Sequence, residues 1–527
     1  MVQQPVVFIA LKEFDNLGVG YIAAILSEEG FDTRIIDFRT RKEDILRILH
    51  DLDPLIVGFS VIYQYHISQF IDLVGYLRDG GIKCHFTAGG HYASIRYKEL
   101  FELIPGLDSV VRFEGEYTFT ELVKKISSGA DWQNTDGIAF RSDGHIIDSP
   151  LRPLEKDLDK FPFPLRSFPA SEYAFTRKFA TIIAGRGCVH ACSFCNLKEF
   201  FRMAGGPMKR LRDPRMDVKE IKWLYAEKGC SVFLFQDDDF PVKTGQDSSW
   251  VITFCEELKK EDLDGRIMWK INCRPDEVEE DLFKLMKYKG LFLVFLGVDD
   301  GTEEGLKRLN KHLTIERSIS GIDIIKKLQI GFDYGFMLFQ PSSTYLSINI
   351  NLDFLRIVCG DGYTPLTYLK LMPYYETQVE RDLINEGRLK NIPGCMDYDF
   401  TDESMNLYYG FTADCFREWQ RAPDGFVNIS KWARNYFAVY LKYFGLTEVT
   451  KAIQNDVTKT ISEGNMFLLN IMKELARGFA SGEYKSESDT VLKDYRQAIS
   501  LKHKYLCGQV HASMNRLFYF APDFRYV

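Results

Sequence analysis

Short apolar runs alternate with helical patterns twice along this chain of 527 residues, and that rhythm restricts the fold more than any other feature. The first series comprises Val6–Ala10, Thr33–Asp37, Leu55–Ser60, His85–Gly90 and Ser109–Arg112, with a helix predicted from about Leu17 to Glu29. Five strand–helix units of this kind predict a doubly wound parallel sheet, Rossmann-like and of flavodoxin type, over residues 1–130. The second series starts at Thr181 and runs to about Leu371, within a unit placed at 176–395. Its six units are too few to close an eight-stranded barrel, so a partial (β/α)6 barrel is expected. Residues 131–175 read as a linker, with a hairpin around Ser142-Asp143-Gly144 and a strap at Leu158–Pro164 that its prolines keep extended. From 396 to 527 apolar residues recur at helical spacing in Glu403–Trp419, Val427–Phe444, Thr447–Phe479 and Ser488–Phe518. The third run is broken near Glu463-Gly464 and reads as one helix or two. Its aromatic stripes suit a core, or a cap over the barrel mouth. The fold class is therefore α/β with a helical C-terminal domain.

Open parallel sheets bind ligands at the carboxyl ends of their strands. In the first series those ends carry Leu17, Gly18, Ser60, Val61, Gly89, Gly90, His91, Glu114, Gly115 and Glu116. In the second, a strand ends in Asp237-Asp238-Asp239, three carboxylates that repel one another unless a cation or ammonium joins them. A solvated loop is the other reading. The next strand end offers Asn272 and Arg274, which could hold a ribose or a carboxylate.

Cys188, Cys192 and Cys195 fall within eight residues, just after the β-branched run Thr181-Ile182-Ile183. Three thiolates on one short loop can hold three irons of a cubane and leave the fourth open. A structural zinc is the alternative. It would need a fourth ligand, for which His190 is available, but no second CxxC follows. Buried free thiols would also satisfy the pattern. The other eight cysteines stand alone, which suits a reducing compartment rather than a disulfide framework.

With an aromatic residue, Phe194, before the last cysteine, this loop resembles the cluster loop of the radical S-adenosylmethionine (SAM) enzymes. The resemblance covers roughly residues 5–400 and is to the subgroup with an N-terminal cobalamin-binding domain. Its strand-end pieces stand here as Leu17–Tyr21, Gly89–His91 and Glu114–Glu116. The resemblance implies a [4Fe-4S] cluster on Cys188, Cys192 and Cys195, whose open iron chelates SAM for reductive cleavage to a 5′-deoxyadenosyl radical. It implies SAM contacts at Phe194, Asp237, Asp238, Asn272, Arg274, Asp299 and Gln340. It implies cobalamin contacts at the ten strand-end residues of the first series. Three departures stand out: no DxHxxG element supplies an axial histidine, Asp299-Asp300 replaces the usual Glu-Ser, and Gln340-Pro341-Ser342 stands where many members read GxPGET. A domain that kept the fold and lost its cobalamin is the alternative for residues 1–130.

The resulting expectation is a cobalamin-dependent radical SAM C-methyltransferase acting on a small-molecule or peptide substrate, with a reductant such as flavodoxin or ferredoxin. A cyclase, rearrangement or oxidation enzyme with the same cofactors is the second reading, and a binding protein with a structural metal the third. A net charge of −8 without a long basic run gives no reason to expect nucleic acid. No apolar run reaches membrane-spanning length and no signal peptide is evident, so a cytoplasmic protein is expected. No base or hydrogen donor can be assigned from sequence.

Overall fold

The computed structural model describes residues 4–12, 15–166, 170–243, 247–392, 395–484 and 490–520. Five parallel strands, β1 (Val6–Ala10), β2 (Thr33–Asp37), β3 (Ile56–Ser60), β4 (His85–Gly89) and β5 (Ser109–Val111), pack in the order β2-β1-β3-β4-β5. Every residue of β1 is buried, as expected of a strand covered by helices on both faces. The hairpin expected within the linker belongs to this sheet. Strand β6 (Ile138–Ser142) runs antiparallel on β5, and β7 (His145–Asp148) completes a seven-stranded sheet. Its turn residues Asp143 and Gly144 both have positive φ, which matches the twist of a two-residue hairpin loop.

The proline strap then crosses from one sheet to the other. Leu165 N–H donates to Gly20 O at 2.9 Å. The Arg166 side chain, only 1% exposed, donates to Asp15 Oδ2 at 3.0 Å and Thr181 O at 2.6 Å and pairs with Glu220. One buried guanidinium thus joins the end of the first sheet's leading loop to two elements of the second.

The second sheet starts with two strands, β8 (Glu172–Ala174) and β9 (Arg177–Ile182), that form an antiparallel pair at its edge. A small ribbon, β10 (Gly185–Gly187) with β11 (Lys209–Leu211), flanks the cysteine loop. Strands β12 (Cys230–Phe235), β13 (Met268–Cys273), β14 (Leu291–Asp299) and β15 (Gly331–Phe336) then continue parallel to β9, in the order β15-β14-β13-β12-β9-β8. The sixth strand, expected at Tyr334–Pro341, is β15, shifted a few residues towards the N-terminus, and the segment Thr367–Tyr374 after it adds, among the described residues, a parallel bridge from Phe339 to Lys370. Leu369 and Leu371 N–H donate to Phe336 O and Phe339 O at 2.8 and 2.7 Å. The result is a curled, open half-barrel.

The C-terminal helices Glu403–Cys415, Arg417–Arg421, Phe426–Phe444, Glu448–Ala480 and Thr490–Phe520 share one hydrophobic core with the half-barrel. The third predicted run is one helix of 33 residues. Gly464 does not break it, because a side chain there would collide with the Phe426 ring, so glycine serves a close helix crossing. No helix among the described residues is long and apolar enough to cross a membrane.

Candidate functional site

The carboxyl ends of the two sheets face each other across one cavity of about 670 Å³. From the first sheet it is lined by Leu17, Gly18, Ser60, Gly89, Gly90, His91, Glu114, Gly115 and Glu116, and by Tyr63 and Tyr65. From the second come Ile183, the ribbon Gly185-Arg186-Gly187, Phe200, Phe201, Gln236, Asp237 and Asp238. Val61 is the exception among the first-sheet candidates. It is fully buried behind the cavity wall, its carbonyl accepting from Ala93 N at 3.3 Å. Gly90, which lines the cavity, adopts φ +105°, and a Cβ there would sit 2.9 Å from Val61 O, so only glycine lets this loop lie against the Val61–Ile62 backbone.

His91 lies flat on Phe200, ring centroids 4.1 Å apart and planes 8° from parallel. Burial depresses its pKa to about 4, so the ring is neutral at ordinary pH. A depressed histidine is protonated first in the unfolded chain. Its contribution to stability is therefore lost as pH falls from about 6.5 through about 4. His91→Gln should remove that share of the acid sensitivity, read as a flatter dependence of the urea midpoint on pH over that window; an unchanged slope would show that the ring is solvated.

Glu114 and Glu116 have partners other than those expected. Arg186 spans both, at 3.1 Å to Glu114 and 2.6 Å to Glu116, and Arg210 Nη1 donates to Glu114 Oε2 at 2.9 Å. These arginines flank the cysteine loop in sequence and in the ribbon. Their ion pairs therefore bolt the first sheet's strand-end loop to the second sheet's.

Cys188, Cys192 and Cys195 are free, half-buried thiols on the loop that follows the ribbon. The loop is fixed by its backbone. Ser193 N–H donates to Leu309 O at 2.9 Å, Ser193 Oγ to Arg308 O at 2.9 Å, and Asn310 Nδ2 to Ala191 O at 2.7 Å. Gly187 begins it at φ +88°, where a side chain would fall on Met208 O. Burial pushes the Cys188 thiol up to about 12 and Cys195 to about 11, and raises Cys192. Thiolates there need a bound cation, which suits an iron–sulfur cluster. His190 Nε2 is buried without a partner, a second sign that the loop closes on something bound. Cys188, His190 and Asp239 also lie close enough to hold one ion, but Lys209 already occupies Asp239 at 2.8 Å.

The strand-end polar residues divide into two groups. Asp237 and Asp238 line the cavity, and burial raises them to about 7 and about 6. The Asp237 carboxylate accepts from Ala184 N at 3.0 Å and Gly185 N at 2.8 Å, so it holds the ribbon that leads into the cysteines. Asn272 Nδ2 donates to Asp237 O at 2.7 Å. The other candidates face inward to protein groups. Arg274 grips Asp276 with two nitrogens and donates to Lys311 O at 2.7 Å, leaving a capping role where a carboxylate clamp was expected. Asp299, at φ +68°, pairs with buried Lys311, and Gln340 donates to Asp300. Phe194 packs beside Leu309, Met337 and Leu371. Arg186 and Arg210 were not singled out as site residues from sequence, although Arg186, a lone basic residue between two glycines at a strand end, carried a signal.

Two family models match the chain: the B12 binding domain over residues 5–123 and the Radical SAM superfamily over 182–344. An uncharacterized methyltransferase of Pyrococcus horikoshii is 26% identical over 347 residues, 64% of this chain and 72% of that protein. The anaerobic magnesium-protoporphyrin IX monomethyl ester cyclase of Rubrivivax gelatinosus is 28% identical over 323 residues, 58% of this chain and 56% of its own length. The structure of OxsB, a cobalamin-dependent SAM radical enzyme with aqua-cobalamin and SAM bound, superposes with a TM-score of 0.66 at 17% identity, over 95% of this chain and 84% of that one.

Proposed function

Because a B12 binding domain and a radical SAM domain occur together in it, the chain is a cobalamin-dependent radical SAM enzyme, and we propose that it methylates an unactivated carbon of a small-molecule or peptide substrate. The observation that carries this reading is the single cavity lined by the strand ends of both sheets. Methyl transfer to a carbon radical needs the radical source and the methyl donor on one substrate, within one water-poor space. Bound there, the cluster with SAM would supply one-electron chemistry and cobalamin a transferable methyl group.

The chain's own residues do the rest. Cys188, Cys192 and Cys195 would hold the cluster, and the Asp237 carboxylate keeps their loop in place through Ala184 and Gly185. Gly89, Gly90 and the uncharged His91–Phe200 stack would take one face of the corrin ring. The Glu114/Glu116 pairs with Arg186 and Arg210 fix the two walls at one spacing. That the first sheet retains cobalamin is supported by the match of residues 5–123 to the B12 binding domain.

A second reading, ring closure or oxidation without methyl transfer, is favoured by the likeness to the Rubrivivax gelatinosus cyclase. Anaerobically reconstituted protein, given SAM, a strong reductant and a metabolite extract, separates the two. Methyl transfer yields S-adenosylhomocysteine and 5′-deoxyadenosine in equal amounts. 5′-Deoxyadenosine alone supports the second reading, and the absence of both removes the two together.

A further inference from the structure

Side chains alternate across β13, and the two faces differ sharply. Trp269, Ile271 and Cys273 are buried in the core against the helices. Lys270 and Asn272 point the other way, into the lumen of the half-barrel. Register places their neighbours: Lys270 is level with Leu234 and Leu293, and Asn272 with Phe295, which is level with Asp333. Inward side chains of a barrel form such layers.

Lys270 is exceptional among the deeply placed lysines. Lys209, Lys289, Lys311 and Lys370 each contact a carboxylate, on Asp239, Asp264, Asp299 and Asp397. Lys270 donates to Asn272 Oδ1, and among the described residues no carboxylate lies within ion-pair distance of it. Asp333, one layer up and two strands away, is already answered twice from the helical domain, by Arg434 at 2.9 Å and Lys431 at 3.8 Å. Lys270, Arg434 and Lys431 therefore all face Asp333, and the other carboxylate that acts on Lys270, Asp237, is turned to the backbone of Ala184 and Gly185 and raised by burial to about 7. Burial pulls Lys270 down to about 8, the mark of an ammonium short of a counter-charge. Beside it, Phe295 is 38% exposed in the middle of a barrel strand, and Gly335 opens the space above the ring.

We propose that this lumen is an anion-receiving site anchored by Lys270, and that the substrate of the enzyme read above is a small molecule carrying a carboxylate or phosphate, its apolar body against Phe295. An uncompensated ammonium is costly in such a place unless a ligand completes it. An anion bound by Lys270 and backed by Arg434 and Lys431 balances the lumen.

Pyridoxal 5′-phosphate tests the site without turnover, since its phosphate seeks a cationic pocket and its aldehyde condenses with an uncharged amine. After borohydride reduction of the reconstituted protein, peptide mapping should find Lys270 modified roughly tenfold faster than an exposed lysine such as Lys219, because its amine is uncharged more of the time. Inorganic pyrophosphate should suppress that labelling, and pyridoxal without the phosphate should show no preference for Lys270. Equal labelling at Lys270 and Lys219, or no effect of pyrophosphate, overturns the proposal. So does loss of SAM binding in Lys270→Met, measured by equilibrium dialysis, since the ammonium would then serve the SAM carboxylate. Failure to form 5′-deoxyadenosine would instead count against the proposed reaction, leaving the labelling result intact.

Discussion

Cys192→Ala protein, reconstituted without oxygen, is expected to lose its iron–sulfur absorption and to form 5′-deoxyadenosine at least roughly a thousandfold more slowly, because no protein group substitutes for the one-electron chemistry. It should still bind cobalamin. The contrast follows from how the loop is built. Its path is set by Ser193 on Leu309 and Arg308 and by Asn310 on Ala191, none of which involves the Cys192 thiol. The substitution therefore removes a ligand without dismantling the loop. The wall proposed for cobalamin draws on Ser60, Gly89, Gly90 and His91, all at the strand ends of the other sheet. Loss of both cofactors together would mean that the cysteine loop is needed to form the cavity. Retention of the cluster would mean that Cys192 is not a ligand.

Arg186→Met should act in the opposite manner, weakening both halves at once. Its guanidinium is enclosed between Glu114 and Glu116, whose side chains are 14% and 5% exposed. Arg210 remains for Glu114, but Glu116 is left as a buried charge without its partner, a loss of about 3–5 kcal/mol in comparable pairs. The strain falls on the contact between the two walls. Cobalamin affinity and cluster content are expected to drop together, and limited proteolysis should cut between the two sheets. The double variant Arg186→Met with Glu116→Gln should recover part of the stability, since the uncompensated charge is gone. A single variant as stable as the parent would show that water already reaches this pair.

How much of this was legible beforehand depends on how local the determinant is. The two strand series, the cysteine loop and the helical C-terminus are written in periodicity and spacing, and the structure has them there, with five parallel strands and one bridge where six units were expected in the second series. The β6–β7 hairpin was recognisable from its turn, but its docking on β5 is a pairing across some thirty residues that no local pattern encodes. Gly464 looked like a helix break because its reason, the Phe426 ring, lies elsewhere in the chain. The same limit explains Arg274. Residue type and strand-end position suggested a ligand contact, while Asp276, two residues on, had already claimed its guanidinium. Glu114 and Glu116 sit at the cavity as expected, yet their charges answer arginines of the other sheet. Lys270 was readable in principle, as a single cation in the apolar run Met268-Trp269-Lys270-Ile271.

The two strand-end faces meet at one cavity, where both cofactors are proposed to lie side by side. Electron spin resonance on protein carrying both cofactors tests it directly. With cobalamin as cob(II)alamin, reducing the cluster to its paramagnetic state should speed the spin relaxation of the cobalt signal, and Cys192→Ala should abolish that acceleration. A cobalt signal whose relaxation is the same with the cluster reduced, oxidised or absent would place the two cofactors apart and contradict the account.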